Sequence, residues 1–255
     1  MHSLGHLNVA GGAPSSGSGT TVVGLRYVPT GAESTAPGCL CEGWGAADAI
    51  SGMTGHANED DGVVNLTPVS FASNATSAVS VVDIGTMLRV THDYHPSSSP
   101  NLYEVAVSIT NISAAAVDLR YRRVMDWDVE PTAFNEFVTI QGTAAATEVV
   151  FASNNGFASA SPLAGPANLG SLGDFVDAGP ADHGALFDFA FGMLAPSATK
   201  SFKIYYGAAG TEAGALAALA AVGAEVYSFG QANVPNGPSQ GVPNTFIFAF
   251  AGVGG

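Results

Sequence analysis

In the segment 103–110 (YEVAVSIT), Tyr103, Val105, Val107 and Ile109 occupy one parity, and Glu104, Ser108 and Thr110 the other. Side chains of a strand alternate between faces, so a period of two marks a strand with one face in a core. Similar short runs, rich in Val, Ile, Phe and Tyr, are bounded by Gly, Pro, Asn and Ser. They occur at 20–28, 63–71, 78–84, 87–93, 102–112, 117–129, 137–141, 148–151, 186–194, 200–206 and 245–250. One stretch has another period. After Thr211, an N-cap residue type, come alanine-rich helix formers with Leu216, Leu219 and Val222 spaced by three. Glu212 suits the positive end of the helix dipole, and Gly223 is a natural stop. The pattern predicts an all-β fold: a large antiparallel β-sandwich of two packed sheets. One short α-helix near 212–223 caps an end of the stack. Residues 31–62 and 154–184 read as long loops. Residues 1–19 read as a flexible N-terminal arm, and 20–255 as a single domain.

Composition narrows the function classes. The 255 residues hold 7 Lys+Arg against 21 Asp+Glu, a net charge of −14. Seven basic residues cannot build the cationic footprint that a phosphate backbone requires, so nucleic acid is not an expected partner. No apolar run reaches the roughly 18 residues of a membrane-spanning helix. The charged fraction of 11% is under half of the roughly 25% usual for a soluble domain, while Gly and Ala together supply 74 positions. Low charge with abundant Gly, Ala, Ser and Thr points to an extracellular or cell-surface setting. Residues 1–19 carry no basic-then-apolar leader pattern.

Charged residues gather in clusters. The segment 119–130 (LRYRRVMDWDVE) holds three of the seven basic residues. Read as a strand, it places Leu119, Tyr121, Met125, Trp127 and Val129 on one face, interrupted by Arg123. Arg120, Arg122, Asp126, Asp128 and Glu130 share the other. Carboxylates about 7 Å apart along a strand face repel, and oxygen donors of this kind suit calcium. Three readings stand beside one another. Arg120 and Arg122 pair with acids across the sheet, Asp126, Asp128 and Glu130 hold a cation, or two of these carboxyls form a catalytic acid pair. Glu59, Asp60 and Asp61, before Gly62, are further candidate calcium ligands. His92 and His95 alternate to opposite faces, which disfavours a shared metal. Asp174, Asp177 and Asp182 lie in a Gly/Pro-rich stretch that reads as turn chemistry. Cys39 and Cys41 are close enough for a disulfide, the favoured reading, with free thiols as the alternative. Nucleophile-elbow, zinc-protease and phosphate-loop motifs are missing.

Four phrases, 38–45 (GCLCEGWG), 101–105 (NLYEV), 120–132 (RYRRVMDWDVEPT) and 245–254 (TFIFAFAGVG), resemble uncharacterised secreted bacterial all-β proteins. That group often carries a PEP-CTERM-type sorting tail, which this chain does not show. The resemblance implies export and a surface or matrix setting, and no activity. The expectation is therefore a secreted structural or adhesive β-sandwich, calcium-stabilised and self-assembling as a homo-oligomer or filament. Strand 245–250 is the candidate for pairing between subunits; the reading set against it, and favoured, is that this strand completes its own sheet. The alternative is a carbohydrate-binding or carbohydrate-active protein that meets surface or matrix glycans through Asp126, Asp128 and Glu130 with Tyr121 and Trp127. A tryptophan buried on the core face would offer such glycans no stacking platform.

Overall fold

The computed structural model describes residues 1–165 and 170–255; residues 166–169, inside the expected 154–184 loop, lie outside the described residues. Strands in the first third are β1 (Arg26–Tyr27), β2 (Ala32–Glu33), β3 (Gly43–Asp48), β4 (Thr54–Asn58), β5 (Gly62–Val64), β6 (Leu66–Ser73) and β7 (Ala78–Ile84). Then come β8 (Leu88–Pro96), β9 (Leu102–Asn111), β10 (Val117–Trp127), β11 (Glu136–Gln141), β12 (Val149–Ser153) and β13 (Phe175–Ala181). The last third holds β14 (His183–Leu194), β15 (Thr199–Ala209), α1 (Glu212–Val222), β16 (Val226–Gln231), α2 (Gly237–Gln240) and β17 (Thr245–Ala251). Strands β1 and β2 pair with each other, and the other strands form two large antiparallel sheets, a β-sandwich. One has six strands in the order β12-β14-β10-β3-β4-β5, and the other nine in the order β13-β11-β16-β17-β15-β9-β8-β7-β6.

The inner faces meet in one core. From the six-stranded sheet come Trp44, Tyr121, Phe187 and Phe189, and from the nine-stranded sheet Val105, Phe202, Phe248 and Phe250. Their rings interlock: Phe189 lies 4.8 Å from Phe250 and Phe187 5.6 Å from Phe248, centroid to centroid. On β9 the alternation holds at Val105, Val107 and Ile109, while Tyr103 sits at the rim, 43% exposed.

Part of each sheet is also covered on its outer face. Helix α1 begins at the Thr211 cap, whose hydroxyl accepts from Gly214 N, and stops at Gly223 in the left-handed region. It does not cap an end of the stack. It lies on the back of the nine-stranded sheet, burying Ala215, Ala218 and Leu219 against Tyr205, Phe229, Ile247 and Ala249. Leu216, expected on the apolar stripe, is exposed because the small alanine face makes the contact. Strand β17 is consequently buried along its whole length between β16 and β15, and it is not an open edge for subunit pairing. Burial on both faces explains its unbroken apolar run. On the six-stranded sheet, residues 154–165 do the covering. A Cβ at Gly45 would stand 2.3 Å from Ala160 O, so that position of β3 admits only glycine. This is why β3 and β4, rich in Gly and Ala and lacking a period of two, were hidden in the expected 31–62 loop.

The N-terminal segment corrects the expectation of a flexible arm at 1–19. Leu4, His6, Leu7 and Asn8 are buried. Leu4 O accepts from Trp44 Nε1 at 2.8 Å, Ser3 O from Ser80 Oγ at 2.7 Å, and Gly5 O from Tyr94 OH at 2.9 Å. Leu7 N donates to Glu42 Oε2 at 2.6 Å. Glu42 in turn holds Arg123, whose Nε lies 2.6 Å from Glu42 Oε1, and both side chains are fully buried. Tyr206 OH donates to the same oxygen at 2.8 Å. Further along the segment, Ser15 Oγ, Gly17 N and Ser18 N donate to Glu130. Small, polar residues suggested freedom; here their N–H groups satisfy buried carboxylates supplied from distant sequence.

Removing one member of the Arg123–Glu42 pair strands a charge in the core. Arg123→Ala is expected to cost about 3–5 kcal/mol in urea unfolding, and Tyr206→Phe, which removes one hydrogen bond to Glu42, about 1 kcal/mol.

Candidate metal centre

Strand β10 and its continuation position the acidic cluster. The β10 register places Arg122 beside Asp188 of β14 and Asp126 beside Gly184. Arg122 pairs across the sheet with Asp188 at 2.6 and 2.8 Å and donates to Ser159 O. Arg120 pairs with Asp118 on its own strand at 2.7 Å, not with an acid across the sheet. Arg122 therefore ends at its partners, and Asp126 receives no arginine.

Asp126 and Asp128 are 1% and 0% exposed. Backbone covers Asp126 closely: a Cβ at Gly156 would stand 2.6 Å from Asp126 Cα. Gly38 N donates to Asp128 Oδ2 at 3.0 Å. The remaining Oδ1 of each aspartate is buried and makes no hydrogen bond. Asp182, exposed between β13 and β14, brings a third carboxylate, and one oxygen from each of the three lies within 4.8 Å of the others. Glu136, fully buried at the start of β11, adds to the field. It accepts from Asn135 N at 3.1 Å and His183 N at 3.3 Å.

The electrostatics follow from burial and like charge. Burial, then the charges of Asp128, Asp182 and Glu136, pushes the Asp126 carboxyl up to about 9. Burial pushes Asp128 up to about 7 against the opposing Gly38 N–H, with Asp182 and Glu33 adding to the rise. Glu136 rises to about 9 through burial, with His183 N–H opposing and Asp128 and Asp182 reinforcing. Burial also raises Asp182. Such a group either keeps protons or takes up a cation. His183 is no ligand: its Nδ1 accepts from Asn154 Nδ2 at 3.0 Å, which leaves Nε2–H to donate to Glu136 O at 3.2 Å. The donors are thus all oxygen, suited to a hard cation.

The expected ligand set is corrected in composition. Asp126 and Asp128 converge. Glu130 turns away to Ser15, Gly17, Ser18 and Glu33 N, whose hydrogen bonds outweigh burial and hold its carboxyl below the usual range. Glu59, Asp60 and Asp61 sit on the β4–β5 turn, apart from the aspartates; Asp60 accepts from Leu40 N and Asp61 from Asn58. Asp182 joins the site, whereas Asp174 and Asp177 hydrogen-bond Thr143 and Thr139. Glu136 carried no sequence signal, because its position depends on how β11 pairs with β13 near Ala181. His92 is packed between Trp44 and Tyr121, apart from the rim residue His95. Cys39 and Cys41 are joined in a disulfide, with Cα atoms 5.1 Å apart.

The surroundings do not resemble a substrate cleft. Trp44 and Trp127 are both 0% exposed and present no stacking platform. Surface cavities of about 630 and 550 Å³ lie elsewhere, beside Tyr27 and Tyr103 and beside Asp93 and Lys203, and the cluster lines neither. No protein-family model and no curated protein sequence matches the chain.

A pH dependence follows. These carboxyls hold protons more tightly when folded than at their unfolded values of about 4. Their stabilisation is complete below that range and is lost as pH rises through about 7 for Asp128 and about 9 for Asp126 and Glu136. In EDTA, the melting temperature should fall between about pH 7 and pH 9, above the ordinary histidine range. A level or rising profile in thermal melts would contradict the assignment.

Proposed function

We propose that the protein is an extracellular structural β-sandwich whose fold is completed by a divalent cation, calcium by its donor preference, held by Asp126, Asp128 and Asp182. The carrying observation is the pair of buried Oδ1 atoms of Asp126 and Asp128 without hydrogen-bond partners, set beside the third carboxylate. Buried polar atoms are almost always satisfied, and a cation satisfies these without adding a donor. Glu136 supports the site by its charge, and exposed Asp182 gives the ion a path from solvent.

The setting supports this reading. Extracellular modules bind calcium at about 10⁻⁴–10⁻³ M, a range that a site with few ligands and a plentiful ion suits. The Cys39–Cys41 disulfide is compatible with an oxidising compartment. Adhesion or assembly through strand addition would have to use an edge strand, β5, β6, β12 or β13, because β17 is central. The alternative with sugar chemistry at Asp126 and Asp128 has lost Glu130 from the cluster and has no exposed tryptophan beside it. The proposal assigns no catalytic step.

Calcium at millimolar concentration is expected to raise the melting temperature at pH 8, with EDTA reversing the shift. Asp128→Asn should abolish that response while leaving the metal-free protein as stable or more so, because it removes like-charge repulsion. Equal calcium shifts in the wild type and Asp128→Asn would overturn the site.

A further inference from the structure

A second ligand cluster lies toward the β5 edge of the six-stranded sheet, where the N-terminal segment meets the β4–β5 turn. One ligand atom from each of His2, His6 and Glu59 falls within 4.8 Å of the others. Unlike the aspartate cluster, it has nitrogen donors. The two imidazoles stack, with centroids 4.4 Å apart and planes 18° apart. Glu59 is exposed, His2 half-buried and His6 only 1% exposed.

The tautomer of His6 suits a ligand. Its Nδ1 lies 2.9 Å from Leu7 O, and a carbonyl only accepts, so Nδ1 carries the hydrogen. In the neutral ring Nε2 then holds a free lone pair. A second hydrogen bond of this kind orients most metal-binding histidines. Burial lowers the His6 pKa and favours the neutral form. His6 is also fixed in place, because the next residue, Leu7, is tied to Glu42. His2 is less constrained. Its Nδ1 accepts from Leu4 N at 3.2 Å, a long contact that metal binding at either ring nitrogen would displace. Glu59 makes no hydrogen bond among the described residues and is free to swing inward from the turn.

We propose that His2, His6 and Glu59 form a binding site for a borderline divalent transition metal of the zinc class, with water completing the coordination. Two imidazoles and a carboxylate match zinc, and they match calcium poorly because calcium takes oxygen ligands. Contraction from the present separations to bonding distance falls on His2 and Glu59, the two ligands with room to move. The bound ion would tie the N-terminal segment to the β4–β5 turn and close that end of the sandwich. This inference does not rest on the calcium proposal, since the two sites share no residue.

The test is titration of the full chain with zinc, in calcium-containing buffer, by calorimetry and thermal melts. One equivalent should bind and raise the melting temperature, with EDTA reversing the rise. His2→Ala and Glu59→Gln should each weaken zinc binding about tenfold or more, whereas Asp128→Asn should leave it unchanged. Histidine ¹⁵N spectra should show zinc displacing the Nε2 resonance of one buried ring. Absence of binding in the wild type, or unchanged affinity in both His2→Ala and Glu59→Gln, would overturn the site. If His2→Ala does not fold, Glu59→Gln alone decides, because its side chain lies in solvent.

Discussion

The ion pair between Arg123 and Glu42 is the contact on which the rest of the arrangement hangs. Two fully buried charges are costly to desolvate, and they persist only where further hydrogen bonds complete them. Here those bonds come from Tyr206, from Leu7 N on the acid, and from Tyr94 OH and Gly5 O around the guanidinium. With the pair itself, the participants come from five parts of the chain and both sheets. The pair therefore fixes how the sheets face each other. It also explains why the N-terminal segment lies inside the sandwich: without Leu7 N, one oxygen of Glu42 would be left unpaired in the core.

Buried acids in this protein divide into two kinds. Glu33, Glu42 and Glu130 accept several N–H or hydroxyl donors, and each anchors a segment that composition alone would call loose. Glu33 takes Leu25 N and faces Arg26 at 3.3 Å, while Glu130 gathers the turn at Ser15–Ser18. Asp126 and Asp128 are different. Asp128 has one backbone donor, each aspartate keeps a bare oxygen, and their nearest charged neighbours are also acids. The same burial that makes the glutamates structural makes the aspartates receptive to a proton or a cation. In a chain of net charge −14, this difference in hydrogen-bond supply decides which carboxylates only hold the fold together and which have a ligand to gain.

Much of the architecture was legible. Strands with one covered face, such as β9, announced themselves by alternation, and α1 by its cap and terminator. Legibility failed where both faces are covered or where side chains are nearly absent. Strand β3 (GWGAAD) has no period to read, because its glycines are set by a segment packed directly on the backbone at Ala160. The candidate site was half legible. Asp126 and Asp128 stood out as alternate residues on one strand. Their third partner, Asp182, looked like ordinary turn chemistry, and Glu136 like nothing in particular. Glu130 follows Asp126 and Asp128 in sequence parity, yet β10 ends at Trp127 and the chain turns, so strand parity no longer applies to it.

By itself, the sequence determined the class of fold, the caps of the helix, and the core placement of Tyr121, Met125 and Trp127. These depend on local period and on the preference of apolar side chains for the interior. Tertiary structure decided which carboxylates meet, which arginines neutralise acids, and that residues 4–8 and Ser15 are buried instead of extending into solvent. Those outcomes depend on pairing between residues far apart in the chain: Glu42 with Leu7 and Arg123, Glu130 with Ser15 and Ser18, Asp126 with Asp182. A charge pattern records how many acids there are and where they lie along the chain. Only the packed sheets determine how far each one stands from a donor, and that distance sets both its protonation and its ability to hold a metal.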